Sequence, residues 1–162
     1  MTVLNILKVP NKILKTPTSE VTDFSEVEDI VKDMMETAIA NNLLGLAANQ
    51  VGIDKSIFVI RYETKSLEDD KVATSFSPFV NPKIKINRER GESWGWESCA
   101  SVPNIQCLIK RWNEITVKAL NPSGNEFEID ANGLLARIIQ HENAHLQAKL
   151  IVEQAREKRI VK

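Results

Sequence analysis

Two histidines one helical turn apart, in a stretch that keeps helical period, set the condition that any fold of this chain has to meet. After Gly133 an alternating pattern gives way to Leu134, Leu135, Ile138, Ile139 and Leu146, spaced as on a helix. Within this stretch lies His141-Glu142-Asn143-Ala144-His145. Positions four apart on an α-helix differ by only ~40° in direction, so both imidazoles leave the same face, with Glu142 at its rim. This is H-E-x-x-H, whose histidines can bind one metal ion and whose glutamate can reach a metal-bound water. The chain has only 2 histidines, and both are here. A satisfied pair of core histidines is the bland alternative, and it would leave Glu142 near the core with no cation in the motif to pair with.

The rest of the chain supplies the surroundings. Val27, Ile30, Val31, Met34, Ala38 and Ile39 mark a core-facing helix over residues 25–41, with Ser25 and Glu28 placed for a capping box. Residues 43–52 are too apolar for a free loop and too rich in small residues for a clear strand. Ser56–Arg61 reads as a buried strand, and the polar residues 63–75 as a surface loop. Pro78 and Pro82 suggest a turn into a strand over Lys83–Arg90. Glu114–Leu120 and the segment around Phe127 and Ile129 alternate on either side of Asn121-Pro122-Ser123-Gly124, which makes a hairpin. A charged helix is expected over Val152–Ile160. The fold class is α+β: mixed or antiparallel sheets packed around a central H-E-x-x-H helix, with one N-terminal and one C-terminal helix, in a single domain over 1–162.

Two histidines do not complete a catalytic metal site, which needs three protein ligands and an open position. No third histidine exists. Glu153 and Glu157 follow too closely for a returning helix, and Ala148 and Ile151 stand where the metzincin pattern needs Gly and His. That leaves Cys99 or Cys107. Cys99 is flanked by small residues, whereas Cys107 lies in an apolar strand and reads as a buried core thiol.

Three motifs then resemble those of the peptide deformylases, in the family's order. Leu43-Leu44-Gly45-Leu46-Ala47-Ala48-Asn49-Gln50 matches G-x-G-x-A-A-x-Q, Glu97-Ser98-Cys99-Ala100-Ser101 matches E-G-C-L-S, and Gln140-His141-Glu142-Asn143-Ala144-His145-Leu146 matches Q-H-E-x-D-H-L. The resemblance runs from Val3 to about Leu150. It implies a hydrolase that removes the formyl group from the N-terminal formyl-methionine of new polypeptides and releases formate. It implies Cys99, His141 and His145 as ligands of one divalent metal, with Fe²⁺ as the native ion and Zn²⁺, Ni²⁺ or Co²⁺ as alternatives. Glu142 becomes the general acid/base. Gln50 and the backbone N–H of Ala100 become oxyanion donors, and Gly45 contacts the substrate backbone. Leu44, Leu134 and Ile138 are the apolar residues expected around the methionine side chain, with core packing an equal reading for Leu134. Trp94 and Trp96 either flank the substrate cleft or simply pack, with packing the preferred reading.

Five positions depart from the family pattern: Leu43, Ser98, Ala100, Ala144 and Ala148. Ala144 stands where the family has an Asp that pairs with the arginine matching Arg111, so Arg111 is either left without that partner or pairs with another acid. Ala148 replaces a helix-ending Gly. None of the five is a ligand, the base or the side-chain oxyanion donor, so retained catalysis with an altered pocket is expected. The alternatives are a catalytically weak paralogue that binds peptides, or another metalloamidase or metallopeptidase. The partners implied are N-formylmethionyl nascent peptides. A net charge of −1 gives no footprint for DNA. No apolar run is long enough to span a membrane, and the N-terminus lacks the h-region of a signal peptide. A cytoplasmic location follows, in a bacterium or in a host cell if the chain is virus-encoded. The tail carries Arg156, Lys158, Arg159 and Lys162 against Glu153 and Glu157. That excess favours a solvated helix, with ribosome contact as the second reading.

Overall fold

A computed structural model describes residues 2–65, 69 and 72–162. Helix α1, Val27–Ala40, comes first. Strands β1 (Gly45–Ala47), β2 (Ile57–Lys65), β3 (Val72–Ile86), β4 (Glu92–Cys99), β5 (Val102–Trp112), β6 (Glu114–Leu120) and β7 (Glu126–Asn132) follow. The chain ends with helix α2 (Gly133–Leu146), the single-turn helix α3 (Ile151–Gln154) and strand β8 (Glu157–Ile160). All strand pairings are antiparallel. They form a five-stranded sheet, ordered β1-β2-β3-β6-β7, and a three-stranded sheet, ordered β4-β5-β8.

Alternation on β2 sends its side chains to two cores. Ile57 and Val59 meet Val27, Val31, Met34 and Ala38 of α1. Phe58 and Ile60 lie on the other side with Phe79, Ile115 and Val117, against Ala136, Ile139 and Leu146 of α2. The remaining face of α2 turns to the small sheet, where Arg137 and His141 reach β4 and β5. The H-E-x-x-H helix therefore lies between the sheets, as its pattern requires. No helix among the described residues is long and apolar enough to cross a membrane.

Several local expectations are corrected. The first helix starts at Val27 with no side-chain cap, because Asp23 Oδ1 accepts from the Ser25 N–H and closes a turn before it. Residues 43–52 resolve into β1 and a 3₁₀ turn over Ala48–Val51. The expected loop over 63–75 is shorter: β2 runs to Lys65 and β3 begins at Val72, their pairing extending through polar residues. Residues 66–68, 70 and 71 of that loop fall outside the described residues. Pro78 and Pro82 make no turn. Both lie within β3, where the register to β6 breaks between Val80 and Lys83, and a bulge needs no ladder N–H from Pro82. Asn81, at φ 49°, holds the bulge through two hydrogen bonds to the Val21 backbone. The strand expected over Lys83–Arg90 stops at Ile86, followed by a 3₁₀ turn, Arg88–Arg90.

The C-terminal helix over Val152–Ile160 is also corrected. Only α3 is helical, and β8 pairs with the open edge of β5. Backbone pairing outweighs the weak helical preference of a short charged segment. Arg159 rests over the Trp96 ring at 3.9 Å and donates to Gln106 Oε1.

Helix α2 ends in a Schellman motif: Lys149 N–H donates to Ala144 O and Ala148 N–H to His145 O. Ala148 sits at φ 60°, a conformation that its Cβ disfavours. Ala148→Gly is expected to raise stability by about 0.5–1 kcal/mol, or about 2 °C in Tm. Thermal unfolding of the two proteins side by side tests this.

Candidate metal centre and hydrolytic site

A cleft of about 530 Å³ opens between the sheets. One wall is the segment Asn42–Gly45 that leads into β1, and the other runs along β4. β1 is the outer strand of the large sheet and β4 the outer strand of the small one, and Leu43–Gly45 and Trp96–Ala100 face each other across the gap. Helix α2 forms the floor with Leu134, Ile138, His141 and Glu142. Unpaired strand edges on both sides suit an extended peptide.

Of the residues singled out from sequence, Leu44, Gly45, Gln50, Cys99, Ala100, Leu134, Ile138, His141 and Glu142 line this cleft. His145 lies deeper, 1% exposed, with its Nε2 3.3 Å from Cys99 Sγ. Donor atoms of Cys99, His141 and His145 all fall within 4.8 Å of one another. Cys107 belongs to the core of the small sheet, beside Val102 and Ile109. Trp96 lines the cleft rather than only packing, whereas Trp94 is 44% exposed beneath Lys110 and Arg156.

Local geometry fixes the orientation of each group. Gln50 Oε1 accepts from the Ala47 N–H, and its Nε2 donates to Ser101 Oγ and lies 3.6 Å from Cys99 Sγ. The amide therefore presents its N–H side to the cluster. Glu142 lies against the backbone of β1. A Cβ on Gly45 would sit 2.6 Å from Glu142 Oε1, so only glycine leaves room for that carboxylate. Asn49 Nδ2 donates to His145 O and ties the 3₁₀ turn to α2.

A carboxylate that sequence reasoning had assigned no role holds the cluster together. Glu97 Oε1 accepts from His141 Nδ1 at 2.8 Å and from Arg111 Nη2 at 2.9 Å. Its Oε2 accepts from Arg111 Nε at 3.0 Å and from Arg137 Nη1 at 2.7 Å. Glu97 is thus the acid that Arg111 finds in place of an Asp at position 144. Arg137 was also missed, although a charge in the apolar run Leu134-Leu135-Ala136-Arg137-Ile138-Ile139, one turn before His141, could have marked it.

The electrostatics follow from burial and these contacts. Burial works against the Glu97 charge, but the His141 and Arg111 hydrogen bonds outweigh it and hold its pKa at about 2. Burial also opposes charge on His141, yet Cys99 and Glu97 raise its pKa to about 10. His145 is pushed well down, by burial first and then by the positive charge of His141 and Arg111. Burial raises Glu142 to about 7. Its Oε2 is buried and has no hydrogen-bond partner among the described residues.

These donors fit a metal ion. A thiol and two imidazoles converge without a carboxylate or backbone carbonyl among them, a set suited to Zn²⁺ or another first-row ion. His141 turns its other nitrogen to a carboxylate, the usual support of a ligating imidazole. Glu142 lines the same cleft, and its buried Oε2 has no hydrogen-bond partner among the described residues.

A buried carboxylate poised near neutrality beside such a cluster, in a cleft with two open strand edges, is the apparatus of a metal-dependent hydrolase of extended chains. The comparisons narrow the class. The profile for the polypeptide deformylase family matches residues 3–160, and the chain belongs to that family. It is 38% identical over 154 residues to peptide deformylase 1 of Clostridium perfringens, covering 94% of this chain and 98% of that one. The solved peptide deformylase of Ehrlichia chaffeensis superposes with a TM-score of 0.85 at 36% identity, over 96% of this chain and 89% of that one. A Met-Ala-Ser-bound class I type b peptide deformylase from Acinetobacter baumannii superposes with a TM-score of 0.82 at 28% identity, over 94% and 98%.

Proposed function

We propose that this enzyme, acting in the cytoplasm as a single domain over 1–162, hydrolyses the N-formyl group of formyl-methionyl nascent peptides and releases formate. The observation that carries the residue assignment is Glu142, a buried carboxylate with a free oxygen, lying in the cleft beside Cys99, His141 and His145. Those three residues would hold one divalent ion, Fe²⁺ natively, with Zn²⁺, Ni²⁺ or Co²⁺ able to replace it. When bound, such an ion supplies Lewis acidity, lowering the pKa of a water towards ~7 and polarising a carbonyl.

The chain's own residues do the rest. The substrate lies extended between β1 and β4, with Leu44 and Gly45 along one side of its backbone. Leu134 and Ile138, with Leu44, enclose the methionine side chain. Glu142 accepts a proton from the attacking water and returns it to the leaving nitrogen. Gln50 Nε2 and the Ala100 N–H donate to the formyl oxygen as it gains charge. The C–N bond breaks, formate leaves, and the peptide keeps a free amine. Ala100 needs only its backbone for this role, so loss of the family's leucine spares the chemistry. The Met-Ala-Ser bound to the Acinetobacter baumannii relative has the form of such a product.

A peptide-binding paralogue without catalysis has no use for an unpaired Glu142, and a metallopeptidase reading lacks the downstream ligand. A ribosome contact through the C-terminal segment would be made by β8 rather than by a helix. The test is formate release from a formyl-Met peptide by anaerobically prepared protein. Release is expected, with loss on chelation and return on adding Ni²⁺ or Fe²⁺. A metal-loaded protein that releases no formate would refute the proposal.

A further inference from the structure

We infer that Arg137, seated on Gly95, is a positioning residue that acts through Glu97 to fix the His141 imidazole. The inference rests on the reading of His141 as a metal ligand. Three observations carry it.

First, Arg137 makes the shortest of the four hydrogen bonds that occupy Glu97, 2.7 Å to Oε2. Arg111 grips the carboxylate from β5 alone, whereas Arg137 is anchored to two strands as well, donating to Ile109 O at 3.1 Å and Ser93 O at 2.8 Å. Second, Arg137 and His141 stand four residues apart on α2, so they share a face, and Glu97 joins them from the facing strand. Glu97 thus has one oxygen on each, and its orientation on His141 Nδ1 depends on where Arg137 holds it.

Third, the backbone has been cleared for this arginine. A Cβ on Gly95 would lie 2.8 Å from Arg137 Cζ and 3.0 Å from Nε and Nη2. Those atoms are the middle of a guanidinium pinned by its hydrogen bonds, not a mobile tip. Gly95 has no positive φ that would otherwise call for glycine. Gly95, Glu97 and Cys99 alternate along β4 and so project to one side. In order they present the seat for the arginine, the carboxylate it grips and the thiol of the metal cluster.

The experiment titrates metal-free protein with Co²⁺ and reads affinity and the absorption spectrum of the bound ion. Arg137→Met is expected to weaken Co²⁺ binding roughly tenfold or more and to change the spectrum, as loss of a ligand's support does. Gly95→Ala is expected to do the same by displacing the guanidinium. The double variant should bind no more weakly than Arg137→Met alone, because both changes break one contact. A merely structural role would lower Tm and leave affinity and spectrum unchanged, and that result would overturn the inference. So would additive losses in the double variant. Cys99→Ser separates the underlying reading: if the parent's spectrum does not depend on Cys99, the ligand assignment itself fails.

Discussion

Glu142→Ala is expected to abolish formate release while leaving the protein folded and able to hold its metal. The fall should be about 10³-fold or more, within the range for a general acid/base and toward its upper end because this group would serve both proton transfers. The structure separates this outcome from a folding defect. Glu142 is 4% exposed, yet its Oε2 has no partner among the described residues, so removing it breaks no hydrogen bond at that oxygen. Burial that raises the Glu142 carboxyl from its usual value to about 7 works against the folded state at neutral pH, so its removal takes nothing from the stability of the fold there. Glu142→Gln preserves the shape beside Gly45 and should be equally inactive. Formate release, metal content and Tm measured on the same samples check the prediction. Retained turnover in either variant would remove Glu142 from the role of base.

The legible parts of this molecule were those where local pattern and chemistry agree. The His141–His145 helix was read from its spacing, and the β6–β7 hairpin from alternation around Asn121-Pro122-Ser123-Gly124. Both are local signals, and both elements lie where they were expected. The small residues around Gly45 did not read as a strand, because β1 is 3 residues long and is made by pairing with β2. The C-terminal strand failed for a related reason. Its four residues are all exposed and carry no apolar period, so only the waiting edge of β5 defines them. Pro78 and Pro82 were read as turn formers because proline ordinarily interrupts a ladder, but a bulge at Asn81 accommodates one of them. The site followed the same division. Ligand-type residues were visible by their rarity, with 2 Cys and 2 His in the chain. Glu97 was hidden among many charges and only its folded contacts distinguish it, whereas the one sequence mark of Arg137 was its place in an apolar run.

Glu97→Ala is expected to have the largest effect on stability, about 3–5 kcal/mol, a large share of the total stability of an ordinary domain. Glu97 and Arg111 have side chains 5% and 8% exposed, and Arg137 17%. Taking the carboxylate away leaves two arginines facing each other in a poorly solvated space, and the cost is their uncompensated charge rather than the lost contacts themselves. This distinguishes the two buried glutamates of the site. Glu142 has an unpaired oxygen and should matter to turnover, whereas Glu97 has both oxygens fully engaged and should matter first to the fold. Replacing all three partners at once, as Glu97→Leu with Arg111→Met and Arg137→Met, should recover most of the lost stability, since apolar groups of similar size can stand in for a buried ionic cluster. The recovered protein should still bind metal roughly tenfold or more weakly than the parent, because His141 Nδ1 has lost its acceptor. Denaturant unfolding and Co²⁺ titration of the parent, single and triple variants measure the two effects independently. A single variant as stable as the parent would show that the arginines find other partners. A triple variant with parental affinity would show that the cluster serves the fold and leaves the imidazole to orient itself.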